Sequence, residues 1–241
     1  MVKHTVFVLC FATLLLPGKA QNNINTPAAS PTIVNAGDVY NPFIHKQSRL
    51  YNGIEHLGYS VRIKGHAYFL QKELKTGTLV YDELEFVNVP MLYDLLKDQV
   101  VIQHLNAFSK IGLVSEKVKE FTLLNHHFIR LQADSLTAAT IITGFYDEIY
   151  TGTLQVLAKR IKFIEETIKD ELEREFLEQD LFYIKKEGVY YAVKNYKGLL
   201  NVLKDKAPAI KQYLRKNRFK FRKGPENTIV KATAYYDSLN K

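Results

Sequence analysis

From Tyr51 onward the chain alternates short apolar-rich stretches with turn residues, a texture that belongs to strands and not to long helices. The segments that read as strands are Tyr59–Ile63, Ala67–Leu70, Gly77–Tyr81, Leu84–Val87, Leu92–Leu96, Val100–Leu105, Lys110–Val114, Phe121–Leu123 and Phe128–Leu131. Gly65, Thr76-Gly77, Asp82-Glu83, Asn88, Lys97-Asp98 and Asn125 punctuate them. Strands this short and this closely spaced predict an antiparallel meander, because parallel neighbours need long crossover connections. Pro90 lacks an amide hydrogen and is expected at a strand end or edge.

Segment 153–179 carries two periods at once. Leu154, Leu157, Ile161, Ile164, Ile168, Leu172 and Phe176 fall on a helical stripe, whereas Gln155–Arg160 also suits a strand. The acidic stretch Glu165–Glu178 is better helix material, so the expectation is a strand through about Ile164 and a short helix after it. Leu181–Lys185 and Val189–Val193 flank Lys186-Glu187-Gly188 and predict a hairpin, with Gly188 at positive φ. Leu199, Leu200 and Leu203, then Ile210, Tyr213 and Leu214, then Ile229, Ala232, Tyr236 and Leu239, make the apolar faces of short C-terminal helices. Pro208 and Pro225 suit first-turn positions in two of them. The expected fold class is therefore α+β: a twisted, curled antiparallel sheet, then a hairpin and short C-terminal helices.

The opening residues change the picture of where this fold works. Lys3, the apolar run Val6–Leu16 and the small residues before Gln21 have the layout of a cleaved secretory signal, with cleavage expected near Ala20-Gln21. The expected organisation is a signal peptide over 1–20, a flexible leader over 21–50, an antiparallel β domain over 51–194 and a helical region over 195–241 packed on it. Export places the product in the periplasm or outside the cell. No later run reaches the roughly 18 apolar residues of a spanning helix, so the expected product is not membrane-spanning. The single cysteine, Cys10, leaves with the signal. A cysteine-free product has no thiol chemistry or thiolate metal site, and its stability must come from packing, to which the chain's 14 Phe and 15 Tyr contribute.

Several local motifs go together: Tyr51-Asn52-Gly53-Ile54-Glu55, Gly65-His66, Asn88-Val89-Pro90-Met91-Leu92-Tyr93-Asp94, Gly144-Phe145-Tyr146-Asp147 and Lys185–Tyr191. In these the chain resembles an uncharacterised family of exported proteins of Gram-negative, Bacteroidota-type bacteria. The resemblance runs from about Tyr51 to Tyr236. It implies an envelope location and brings no catalytic residue with it.

Candidate chemistry is sparse. Nucleophile elbow, zinc-protease, phosphate-loop and dinucleotide signatures are all missing, so neither a cofactor nor a catalytic residue is assigned. Of four Tyr-Asp dipeptides, three offer Asp82, Asp94 and Asp147 as sheet-rim carboxylates for ligand binding or for a hydrolase. The alternative for each is a packed Tyr with an Asp that caps a turn. His126 and His127 sit side by side, which on a strand sends them to opposite faces, and no histidine pair has the spacing of a metal site. Charge is uneven: the formal net charge is +8, and Lys204–Lys223 holds nine basic residues against the single acid Asp205. Within it Lys211, Arg215, Lys216, Arg218, Lys220, Arg222 and Lys223 are the candidate residues for binding an anionic surface. Export makes nucleic acid an unsuitable target. The function expected from sequence is a non-catalytic binding or accessory component of the envelope, with a protein, glycan or lipid as partner. The alternatives are a hydrolase using the rim carboxylates, or a peripheral protein docking through its basic C-terminal region.

Overall fold

The computed structural model describes residues 49–134, 137, 140–168 and 171–239. The expected signal peptide and almost all of the leader, with Cys10 and His45, lie outside the described residues. Eleven strands form one antiparallel sheet. They are β1 (Ile54–Glu55), β2 (Lys75–Tyr81), β3 (Leu84–Asp94), β4 (Gln99–Gln103), β5 (Lys110–Gly112), β6 (Val118–Leu123), β7 (His126–Leu131), β8 (Gly144–Thr151), β9 (Gln155–Ile168), β10 (Leu172–Lys186) and β11 (Val189–Ala192). Three helices follow: α1 (Tyr196–Val202), α2 (Ala207–Lys216) and α3 (Pro225–Ser238). No helix among the described residues is long and apolar enough to cross a membrane.

The spatial order β1-β5-β4-β3-β2-β6-β7-β8-β9-β10-β11 is a meander broken at two places, where β5 pairs with β1 and where β6 returns to pair with β2. Its tight turns follow from sequence. Tyr81↔Leu84, Leu123↔His126 and Lys186↔Val189 each close over two residues at positive φ: Asp82-Glu83, Leu124-Asn125 and Glu187-Gly188. Such primed turns match the right-handed twist of the strands they join.

Curling brings distant strands together. Although β2, β6, β7 and β8 lie between β3 and β9 in the sheet, Lys162 N donates to Leu95 O just beyond the end of β3. A strap over residues 56–70 closes this seam. Tyr68 bridges Asp94, Leu95 N donates to Ala67 O, and Lys64 pairs in parallel with Glu175 of β10. Lys162 Nζ donates to the strap carbonyls of His66 and Tyr68 at 3.1 and 2.9 Å.

The interior is divided. One cluster fills the space under the strap, where Phe121 stacks on Phe128 at 4.7 Å and Tyr93 meets both edge-on. Each ring fully removed from water contributes about 1.5–3 kcal/mol. A second cluster joins Val156, Ala158, Phe182 and Ile184 to Leu199, Ile210, Leu214, Ile229 and Tyr236 of the helices. A third, smaller cluster of Ile141, Tyr146, Leu157 and Tyr183 involves the alternate positions of β9, on the other face of the sheet.

The helix expected after Ile164 is absent; β9 runs on to Ile168 and β10 begins at Leu172. Ile164, Ile168, Leu172 and Phe176 are four apart, a spacing that shares one face in a helix and equally in a strand. Pairing decides it: Ile164 sits opposite Phe176 and Ile168 opposite Leu172. The two strands expected at Leu84–Val87 and Leu92–Leu96 are a single β3, which passes Asn88 (φ 56°) through an irregularity in register opposite Gly77–Leu79 and does not break there. Pro90 lies inside that strand, but β4 pairing stops at Met91, so β3 has a neighbour on one side only there. Tyr59–Ile63 is strap and not strand. Ala67–Leu70 makes only an isolated bridge, and Leu239 stays 40% exposed.

Candidate functional site

The three rim aspartates have separate partners. Asp82 occupies the first positive-φ position of the β2–β3 turn, with Arg49 at 3.6 Å and Lys117 at 3.7 Å. Asp94 is fully buried at the end of β3. Its Oδ1 accepts from the amides of Leu96 and Lys97, both at 3.0 Å, and its Oδ2 accepts from Tyr59 OH at 2.7 Å. Here the turn-capping alternative describes the geometry, and the same carboxylate also anchors the strap. His56 Nε2 lies 3.6 Å from Asp94 and 3.1 Å from Tyr68 OH, and burial lowers the His56 pKa against the pull of Asp94.

Asp147, in the middle of β8, belongs to an ion network. Arg160 of β9 donates to its Oδ2 through Nε at 3.1 Å and Nη2 at 2.7 Å. The other terminal nitrogen of Arg160 donates to Asp180 at 2.6 Å and to Glu226, in the first turn of α3, at 2.7 Å. Burial works to lower the Arg160 pKa, and the bonds to Glu226, Asp180 and Asp147 override it and raise it. Burial raises the Asp180 pKa in spite of Arg160. His126 Nδ1 is 2.8 Å from Asp147 Oδ2, while its neighbour His127, on the other face of β7, is 2.6 Å from Glu148 Oε2. Next along β9, Lys159 points the opposite way to Arg160 and donates to Asp98 at 2.6 Å and to Phe145 O at 3.1 Å. Burial lowers the Lys159 pKa and Asp98 only partly offsets this. Gly144 (φ 147°) makes room for that pair, since a Cβ there would meet Asp98 Oδ2 and Lys159 Nζ.

Sequence reasoning missed Lys159, Arg160, Asp98, Asp180 and Glu226. One signal was present: two adjacent cations interrupting the apolar run Val156–Ile164 on a strand covered on both faces. The two remaining histidines among the described residues stay apart, with His66 stacked on Tyr68 and His104 edge-on to Tyr51. No group of His, Cys, Asp and Glu among the described residues is arranged to hold a metal.

The basic residues do converge. Lys211 and Arg215 of α2 and Arg218, Lys220, Arg222 and Lys223 of the turn beyond it surround a groove of about 830 Å³. Lys216 is exposed nearby but does not line it. The floor is Tyr196, Leu214, Phe219 and Phe221, which are buried or half-buried against the helical core. No acidic side chain lines the groove, and its six cations have no side-chain hydrogen bond or ion pair among the described residues. Phe219 and Phe221 are half-buried, while Arg218, Lys220 and Arg222 between and beside them are exposed; the segment is turn and not strand. A larger cavity, about 1020 Å³, lies where β10, the end of β11 and α1 meet. No family model, curated protein or solved structure matches the chain.

Proposed function

We propose that the protein is an exported, non-catalytic accessory component of the bacterial envelope that docks on an anionic membrane surface through the groove of its helical region. One observation carries this reading: six cations without an ion-pair partner among the described residues ring an apolar floor that has no acid among its lining residues. Lipid phosphates supply the missing counter-charges, at about 1 kcal/mol per Lys or Arg near the surface. Phe219 and Phe221, half-buried in the floor, leave apolar ring surface between the cations, of the kind that suits the boundary between headgroups and acyl chains. The signal-like opening and the family resemblance support an envelope setting. The rim carboxylates favour structure over hydrolysis, because Asp82, Asp94 and Asp147 each serve a separate set of partners.

Co-sedimentation with vesicles tests the reading. Vesicles rich in phosphatidylglycerol should carry the protein down, and phosphatidylcholine vesicles should not. Binding should collapse between about 0.1 and 1 M salt, where the screening length falls from about 10 to 3 Å. The variant Lys211→Glu/Arg215→Glu/Lys220→Glu/Arg222→Glu should bind at least about tenfold less. Equal binding to both vesicles, or none to either, overturns the proposal.

A further inference from the structure

The outer ladder of β10 has a gap. In an antiparallel strand, alternate residues turn their backbone N–H and C=O toward the same neighbour. Arg174 O and Phe176 N are used by Lys64 of the strap, and Phe182 O accepts from Val193 N just beyond β11. The even-numbered residues of β10 therefore face outward, while the β9 ladder runs without a register shift from Leu172 to Lys185. Glu178 and Asp180 fall between the two points of attachment, and neither has an outward backbone partner among the described residues. An open stretch of strand edge is a template for another chain.

The larger cavity lies over this stretch. Gln179, Asp180 and Leu181 form one side of it, and Tyr191, Val202 and Phe221 contribute apolar wall. Alternate side chains of an added strand would point into such a space, which is how strand addition acquires specificity. Along the same edge Glu178 is exposed with no ion-pair partner among the described residues, and one oxygen of Asp180 is buried without a hydrogen bond. We propose that this gap binds an extended peptide segment of another protein as an added strand of about five residues, with apolar side chains entering the cavity and basic ones meeting Glu178 and Asp180. The site is separate from the cationic groove and does not depend on the membrane reading.

Residue-resolved amide exchange on the full chain gives the first test. Glu178 and Asp180 amides should exchange fast in the free protein, while Gln179, turned toward β9, is slow. Slow exchange at Glu178 and Asp180 in the free protein would mean that the edge is already covered, and would overturn the proposal. Sedimentation would then tell a second copy from a segment of the same chain. The second test pans a displayed library of random nonapeptides, taking the selected sequences forward as synthetic probes. A saturating probe should slow both amides at least about tenfold.

Glu178→Pro removes one outward backbone donor together with the carboxylate and no donor to β9, so the β9 ladder survives and probe affinity should fall at least tenfold. Glu178→Gln, which keeps the donor, should lose less. If the proline variant folds poorly, Gly198→Phe serves instead. Position 198 lines the cavity, and a Cβ there meets nothing nearer than Asn195 Oδ1 at 3.6 Å. Failure of the library to enrich any sequence over the Glu178→Pro protein also overturns the proposal.

Discussion

His56 shows what one buried side chain does for this fold. Its ring is enclosed by Tyr59, Tyr68 and Asp94, with Lys97 and Lys110 near enough to oppose its protonation, and burial depresses its pKa below the ordinary 6.5. Well above pH 6.5 the ring is neutral in both folded and unfolded chains. As the pH falls, the unfolded chain takes up the proton first, so the stability contributed by the buried neutral ring drains away until the lower folded pKa has been passed. His56→Phe keeps a ring in place and removes the proton site. The variant should lose about 1–3 kcal/mol near pH 8, for want of the Tyr68 bond and the strap contact. Its deficit against the parent should narrow near pH 5. Urea denaturation at both values measures this, and a pH-independent deficit would contradict it.

At the scale of elements, the β9–β10 arm sets exposed like charges face to face. Glu165 pairs directly with Glu175, whereas Glu166 has Arg174 opposite it at 2.7 Å. Glu165→Lys should stabilise the protein by about 0.2–1 kcal/mol in denaturant melts, because it turns a repelling cross-strand pair into an attracting one. If 165–178 were helical, as its acidic composition suggests, the substitution would have no such partner. Elements with local signals were legible from sequence. Glu187-Gly188 gives the hairpin, and Pro208 and Pro225 enter the first turns of α2 and α3. The arm was not legible, because apolar residues spaced by four satisfy both periods and only the partner strand distinguishes them.

The whole molecule is held across its two main cores by Arg160. The guanidinium connects β8 and β10 to the start of α3, on the sheet face shared by the strap cluster and the helical cluster. Arg160→Met leaves Asp147 buried without its cation and should cost about 3–5 kcal/mol, with most of the loss recovered in Arg160→Met/Asp147→Leu. Urea melts of the parent, the single and the double variant decide this. A double variant no more stable than the single would show that the network contributes more than the compensation of one buried charge. The full set could not be read along the chain: Asp147, Arg160 and Asp180 meet through the register of three neighbouring strands, and Glu226 joins them only once α3 has docked. The basic run that forms the groove is continuous in sequence, and for that reason was visible early.

The opposed side chains of Lys159 and Arg160 have a consequence for how β9 finds its place. Val156, Leu157 and Ala158 are fully buried on both sides of the strand, so greasiness alone does not tell it which way to lie. The two cations do. Sliding by one residue would offer an ammonium where three carboxylates await a forked donor, and a guanidinium where Gly144 has cleared space for a single nitrogen. Alignment of the longest hairpin in the protein is thus encoded in an adjacent pair of unlike positive groups.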